Sequence, residues 1–242
     1  MGRYQWDWGV LFRDPYFGWL VSGLGWSLLI AALAWVIAFS VGSAVGIGRT
    51  LPNRWVRLVA TTYVEIFRNV PLLLQMFLWF FVLPELLPKD AGRWMKRDMP
   101  FPEFTNAVLC LGFYTASRVG EQVRSGIESV AKGQARAALA SGLTIAQTYR
   151  FVILPIAYRL IVPTLTSEFL GVIKNSSIAL TIGMLELTGQ SRQIESFTFH
   201  GFEAFTAATV VYMSVSAIAL WFARIFERRS TVRGMMTRGG GA

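Results

Sequence analysis

The sequence predicts an all-α integral membrane protein, and three observations carry that fold class. The 242 residues are 54% hydrophobic and only 15% charged, where a soluble domain carries about 25% charged residues. The mean hydropathy is +0.47. Residues 17–48 hold no charged side chain over 32 positions, and residues 204–223 none over 20; about 20 apolar residues of helix cross the hydrocarbon core of a bilayer. The same composition excludes other classes. Disordered chains are polar and poor in aromatics, whereas 14% of this chain is aromatic. A single cysteine, Cys110, cannot form a disulfide within the chain. One histidine, His200, leaves little from which to build a His/Cys metal site.

The spans follow in order. The first is expected at 20–47, with its apolar heart at 28–45. The second, 62–84, carries Glu65, Arg68 and Pro71. The third, 104–127, is apolar until Arg118, Glu121 and Arg124. The fourth, 163–187, carries Glu168, Lys174 and Glu186. The fifth, 204–225, is clean again until Arg224. The whole chain, 1–242, then forms one transmembrane domain of five helices. Charges within spans are expensive and are expected to face protein or water.

Five spans place the termini on opposite sides. The side holding Arg49, Arg54 and Arg57, the stretch from Arg124 to Arg159 and the tail from Arg224 onward carries thirteen Lys and Arg, and the other side seven. The richer side is expected to be cytoplasmic, with the N-terminus outside. The net charge of +9 is thus chiefly an orientation signal. Asp7, Arg13 and Asp14 precede the first apolar run, so a cleavable signal peptide is not expected. Residues 84–102 and 189–203 are expected to be outer loops, and His200 to be solvated there. The Gly-rich end, 234–242, is expected to be a mobile tail.

The loop at 128–160 is the most informative stretch. Residues 134–140 are Ala-rich and expected to be helical. Gly142 suits the left-handed residue that ends a helix. Thr144 and Gln147 have the spacing of a capping box and are expected to start a second short helix. Pro155 and Pro163 are expected to break the chain before the fourth span.

Here Ala137, Ala138 and Gly142, nine residues and then Val152-Ile153-Leu154-Pro155 resemble the EAA loop of ABC importer permeases. Arg136 stands where that motif has Glu. The stretches Tyr63–Gln75, Val130–Gln134 and Lys174–Ser177 resemble polar amino acid permeases. Tyr114–Ile127 and Leu165–Leu170 resemble the glutamate/aspartate branch of that family. The resemblance implies a type I importer permease fold in the bacterial inner membrane, half of a translocation path. It implies a second permease subunit, like or unlike this one, two ATP-binding subunits and a periplasmic solute-binding protein. It implies that Gln134, Ala135, Arg136, Ala137, Ala138 and Gly142 form the helix that docks on the ATPase.

The intramembrane charges are the candidate substrate contacts. A guanidinium is always charged and grips a carboxylate in a planar fork, so Arg118 is the first candidate for an acidic amino acid. Lys174 and Arg68 are the other cations. Glu168, Asn175, Ser176 and Ser177 complete the set. The competing structural roles are ion pairs Arg118–Glu121 and Arg68–Glu65 at helical spacing, a pair of Lys174 with a neighbouring span, and helix-to-helix hydrogen bonds for the hydroxyls. Gly42 and Gly46 have the spacing of close helix packing, within the subunit or at its partner.

No enzyme activity, cofactor or metal is expected on this chain. None of its four lysines follows a glycine, so it lacks a phosphate loop, and ATP and magnesium belong to the partner ATPase. No nucleophilic triad is legible. Alternatives are a permease for another polar amino acid such as glutamine, or an ion-coupled secondary transporter, although no internal repeat supports the latter.

Overall fold

A 33-residue helix, α1 (Tyr16–Gly48), opens the fold; at 1.5 Å per residue it is about 50 Å long, which exceeds a bilayer core. A computed structural model describes residues 4–130 and 132–230. It is helical, with no strand among the described residues. The Gly-rich end lies outside them.

Small residues on one side of α1 decide how it packs. Ala34, Ala38, Gly42 and Gly46 are buried against α6 (Pro102–Ser129). A β-carbon on Gly42 would lie 2.7 Å from the Ala116 carbonyl oxygen, and one on Gly46 2.6 Å from that of Gly120. On α6, a β-carbon on Gly112 would lie 2.9 Å from Ile37 Cβ. The contacts advance together along both helices, so α1 and α6 run parallel. The glycine spacing therefore serves an interface within the subunit.

The expected second span is not one straight helix. α2 (Arg54–Asn69) and α3 (Leu72–Phe77) are separated by an extended Val70 and by Pro71, and the helix axis bends by 103° there. Proline excludes its predecessor from helical geometry and donates no N–H. Gln75 repairs the break: its Nε2 donates to the carbonyls of Phe67 at 2.7 Å and Val70 at 2.8 Å. The chain then passes through a wide turn at Leu78–Val82, α4 (Leu83–Leu86) and α5 (Lys89–Arg93) before α6. The expected outer loop is thus largely helical.

The loop at 128–160 folds much as its residues suggest. α7 (Lys132–Ala140) ends at Gly142, whose φ is +89°. α8 (Ile145–Thr148) begins with a complete capping box between Thr144 and Gln147. The prolines behave differently from expectation. Pro155 occupies the first turn of α9 (Leu154–Asn175), and Pro163 lies inside it. A first-turn proline costs no hydrogen bond. Packing holds the helix through Pro163: Gly126 lets α6 approach Ala157 and Ile161 closely.

The fourth apolar segment is discontinuous. α9 stops at Asn175, a 3-10 turn covers Ser176–Ile182, and Gly183 at φ +90° reverses the chain. α10 (Leu187–Thr198) follows where a loop was expected. Glu186 caps it, accepting from Gly189 N at 2.9 Å and Thr188 N at 3.1 Å. The same fully buried carboxylate accepts from Ser27 of α1 at 3.0 Å and Tyr212 of α11 (Gly201–Ser230) at 2.6 Å.

The two ends of the bundle are well defined. At one, Glu203 of α11 accepts from the Tyr4 hydroxyl and from Asp7 N. His200 packs its ring on Tyr4, with Nδ1 3.4 Å from Glu203, so it is partly buried rather than solvated. At the other end the Tyr149 hydroxyl donates to the Thr50 carbonyl at 3.1 Å, joining the end of α1 to the loop. α9 runs antiparallel to α6, pairing Ala157 with Gly126 and Glu168 with Arg118.

Tyr16–Gly48, the helical stretch Ile145–Ile182 and Gly201–Ile225 are each long and apolar enough to cross a membrane, and Arg54–Asn69 and Leu72–Leu86 are so only taken together, as a broken span or a re-entrant loop. α6 spans 28 residues but carries more charge. Its buried face joins Ile30, Met76, Leu111 and Val172 into one core, and Ala38, Val119, Val123 and Ala157 into a second nearer the loop.

Candidate functional site

Arg118 and Glu168 meet between α6 and α9. Arg118 Nε donates to Glu168 Oε2 at 2.7 Å, and Nη2 to Oε1 at 3.0 Å. Gln122, one turn along α6, donates to the same Oε1 at 3.0 Å. The pair is asymmetric: the Arg118 side chain is 48% exposed, and that of Glu168 14%. A fork of two parallel N–H donors is the geometry in which guanidinium selects a carboxylate. The Arg118–Glu121 pair allowed by the sequence is not formed.

Around this pair the surface of the subunit is left uncovered. Pro163, Thr164, Ser167 and Lys174 are exposed on α9, and a β-carbon on Gly171 would meet open space. Lys174 lies six residues beyond Glu168, about 9 Å along the helix, and makes no ion pair among the described residues. Cations and hydroxyls at this depth are costly against lipid, so such a face turns to protein or to water. Arg118 and Glu168 form one site; six residues turn the helix by about 600°, which sets Lys174 roughly 120° around α9 from Glu168.

The remaining candidates lie elsewhere or are already satisfied. The Ser176 and Ser177 hydroxyls donate to the Ile173 and Lys174 carbonyls, both at 2.8 Å, and Ser176 is buried. Asn175 is the last residue of α9, at the break. Arg68 does not pair with Glu65. It lies 3.6 Å from Glu121, where Arg49 and Arg124 also converge, Arg124 at 2.5 Å. This cluster ties the ends of α1 and α2 to α6, apart from the Arg118 pair. Glu65 instead accepts from Asn69 at 3.3 Å.

On α7, Ala138 is buried and Ala135 partly so, while Gln134, Arg136 and Ala137 are exposed. The small residues hold the helix against the bundle, and its outer side is free for another protein. Gln122, Gln75 and Glu186 were not singled out from the sequence. Gln122 was recoverable, since i+4 from Arg118 shares its face; the other two serve long-range breaks that no local pattern reveals. Among the described residues no group of three or more His, Cys, Asp or Glu side chains is placed to hold a metal.

Residues 37–232 match the family described as binding-protein-dependent transport system inner membrane component. The chain belongs to that family: it is a multi-pass inner-membrane permease subunit. It is 44% identical over 240 residues to the glutamate/aspartate import permease protein GltJ of Escherichia coli strain K12, covering 96% of this chain and 98% of that one. It is 33% identical to the probable glutamine ABC transporter permease protein GlnM of Bacillus subtilis, over 84% and 88% of the two chains. The crystal structure of an amino acid ABC transporter with histidines superposes with a TM-score of 0.79 at 30% identity, covering 93% of this chain and 100% of that one. The MetNI methionine ABC transporter, at 19% identity, shares the fold with a TM-score of 0.75.

Proposed function

We propose that this chain forms half of the translocation path of an ATP-driven importer for glutamate and aspartate. The observation that carries the substrate class is the Arg118 fork, which holds a carboxylate at two points while remaining half exposed. An acidic amino acid presents the same group. Lys174, uncovered on the adjacent helix, adds a second positive charge for a net anion. The likeness to GltJ over nearly the full length of both chains supports the same substrate.

In this reading a second permease subunit covers the face around Arg118 and Lys174, and the path runs between the two. The chain crosses the membrane five times, with α2–α3 as one bent crossing and α9 through α10 as one broken crossing. The N-terminus is periplasmic, and α7 and α8 face the cytoplasm, following the excess of Lys and Arg on that side. Two ATPase subunits dock on the α7 helices and hydrolyse ATP in their own sites. A periplasmic binding protein delivers substrate to the opposite end.

Uptake of labelled glutamate by cells lacking only this gene tests the assignment. Uptake is expected to fall to background, to return with the wild-type gene, and in those cells to be competed by unlabelled aspartate but not glutamine. Competition by glutamine alone would reassign the substrate. Unchanged glutamate uptake in the deletion strain would refute the reading.

A further inference from the structure

A cavity of about 490 Å³ lies at the N-terminal end of the bundle, between the N-terminal segment, α10 and the first turns of α11. Four aromatic rings line it, those of Tyr4, Phe199, Phe202 and Phe205. The Glu195 carboxylate lines it too, and makes no hydrogen bond or ion pair among the described residues. Thr209 also lines the wall; its hydroxyl donates to the Phe205 carbonyl at 2.8 Å, which leaves its oxygen to act as an acceptor. No Lys or Arg is among the lining residues.

We infer that this cavity binds the ammonium headgroup of a phospholipid. Aromatic faces attract organic cations, and an unpaired carboxylate completes the attraction. A hard metal cation would want six or more oxygen ligands, which rings cannot supply. A free acidic amino acid is disfavoured, because its carboxylates would meet Glu195 with no lining cation to offset them. The apolar residues beside the cavity favour a lipid over a soluble amine. Val210 borders the cavity, and Met213, about one turn further along α11, is 67% exposed, so an apolar track leads away from it.

Two features show that the wall is built. Phe199 holds a left-handed backbone at φ 58° and is 85% exposed, a conformation that a non-glycine residue adopts only at a cost. Tyr4 is fixed by its hydroxyl on the fully buried Glu203 and by its edge-to-face contact with Phe202 at 4.9 Å. The N-terminal segment thus closes one side of the cavity.

Native mass spectrometry of the full-length chain, titrated separately with phosphatidylethanolamine, phosphatidylglycerol and soluble O-phosphoethanolamine, tests this. Phosphatidylethanolamine is expected to bind at least about tenfold more tightly than phosphatidylglycerol, a difference of about 1.4 kcal/mol, and than O-phosphoethanolamine. Glu195→Gln, an isosteric change at a carboxylate without partners, is expected to remove the preference between the two lipids. Phe199→Gly, which relieves the backbone, is expected to weaken phosphatidylethanolamine while keeping or raising the melting temperature. Equal binding of the two lipids by the wild type, an unchanged preference in Glu195→Gln, or O-phosphoethanolamine binding as tightly as the lipid would overturn the assignment.

Discussion

Arg118 and Glu168 are joined by two hydrogen bonds across the α6–α9 interface, 2.7 Å and 3.0 Å long, yet the arginine keeps nearly half of its side chain uncovered. A lysine in its place would retain the charge and lose the fork. Arg118→Lys is expected to lower glutamate uptake about tenfold or more, the loss of one charge-assisted hydrogen bond being worth roughly 1.5–3 kcal/mol. Membrane insertion and the amount of assembled complex, read by co-purification with the ATPase, are expected to stay unchanged. Wild-type uptake by this variant would remove the fork from the substrate path.

The α1–α6 seam gives a stability prediction. Gly46 has no room for a methyl group, since its β-carbon would lie 2.6 Å from the Gly120 carbonyl oxygen. Gly46→Ala is expected to cost about 1–3 kcal/mol, as overpacking does, and Gly46→Val more. Gly25 is the control, with nothing within 4 Å of its β-carbon position; Gly25→Ala is expected to leave the melting temperature in detergent at or above wild type. Equal melting temperatures for the Gly46 and Gly25 alanine variants would contradict the seam.

Glu186 accepts four hydrogen bonds, from Ser27, Tyr212, Thr188 N and Gly189 N. Glu186→Leu would strand these donors, each at about 1–3 kcal/mol. Hydrogen exchange of the amides at 187–191 is expected to accelerate selectively, because the cap of α10 is lost. Slow exchange there in a folded variant would show that another group caps the helix.

The capping box between Thr144 and Gln147 fixes the entry to α8. Thr144→Ala is expected to destabilise that turn by about 1 kcal/mol. With α7 proposed as the ATPase contact, ATP hydrolysis by the assembled complex is expected to become less dependent on substrate, at unchanged subunit stoichiometry. Tight coupling in the variant would separate α8 from transmission.

Local chemistry was readable where it was local. Gly142 and the Thr144–Gln147 box follow from backbone freedom and from a three-residue spacing, and both sit where the sequence puts them. The ion pairs were not readable. Helical spacing offered Arg118–Glu121 and Glu65–Arg68, but the side chains found partners fifty residues away, at Glu168, and on another helix, at Glu121. Pro163 shows the same limit: its local tendency to break a helix is overridden by packing around Gly126. Glu186 looked like one more charge in an apolar run, whereas its role rests on donors from α1 and α11. The candidate cations Arg118 and Lys174 are legible because a cation in an apolar segment is conspicuous without any knowledge of its partner.

The seam between α1 and α6 also bears on motion. Two helices packed backbone against backbone, with carbonyls where side chains would normally intervene, cannot slide past each other without collision. They form a single strut. Any tilting that opens one end of the bundle and closes the other is therefore left to the places where the helical ladder is already interrupted, at Val70–Pro71 and between Ser176 and Glu186. At those places Gln75 and Glu186 supply from side chains the hydrogen bonds that a continuous helix would have supplied itself, and such bonds can be exchanged without unwinding a turn.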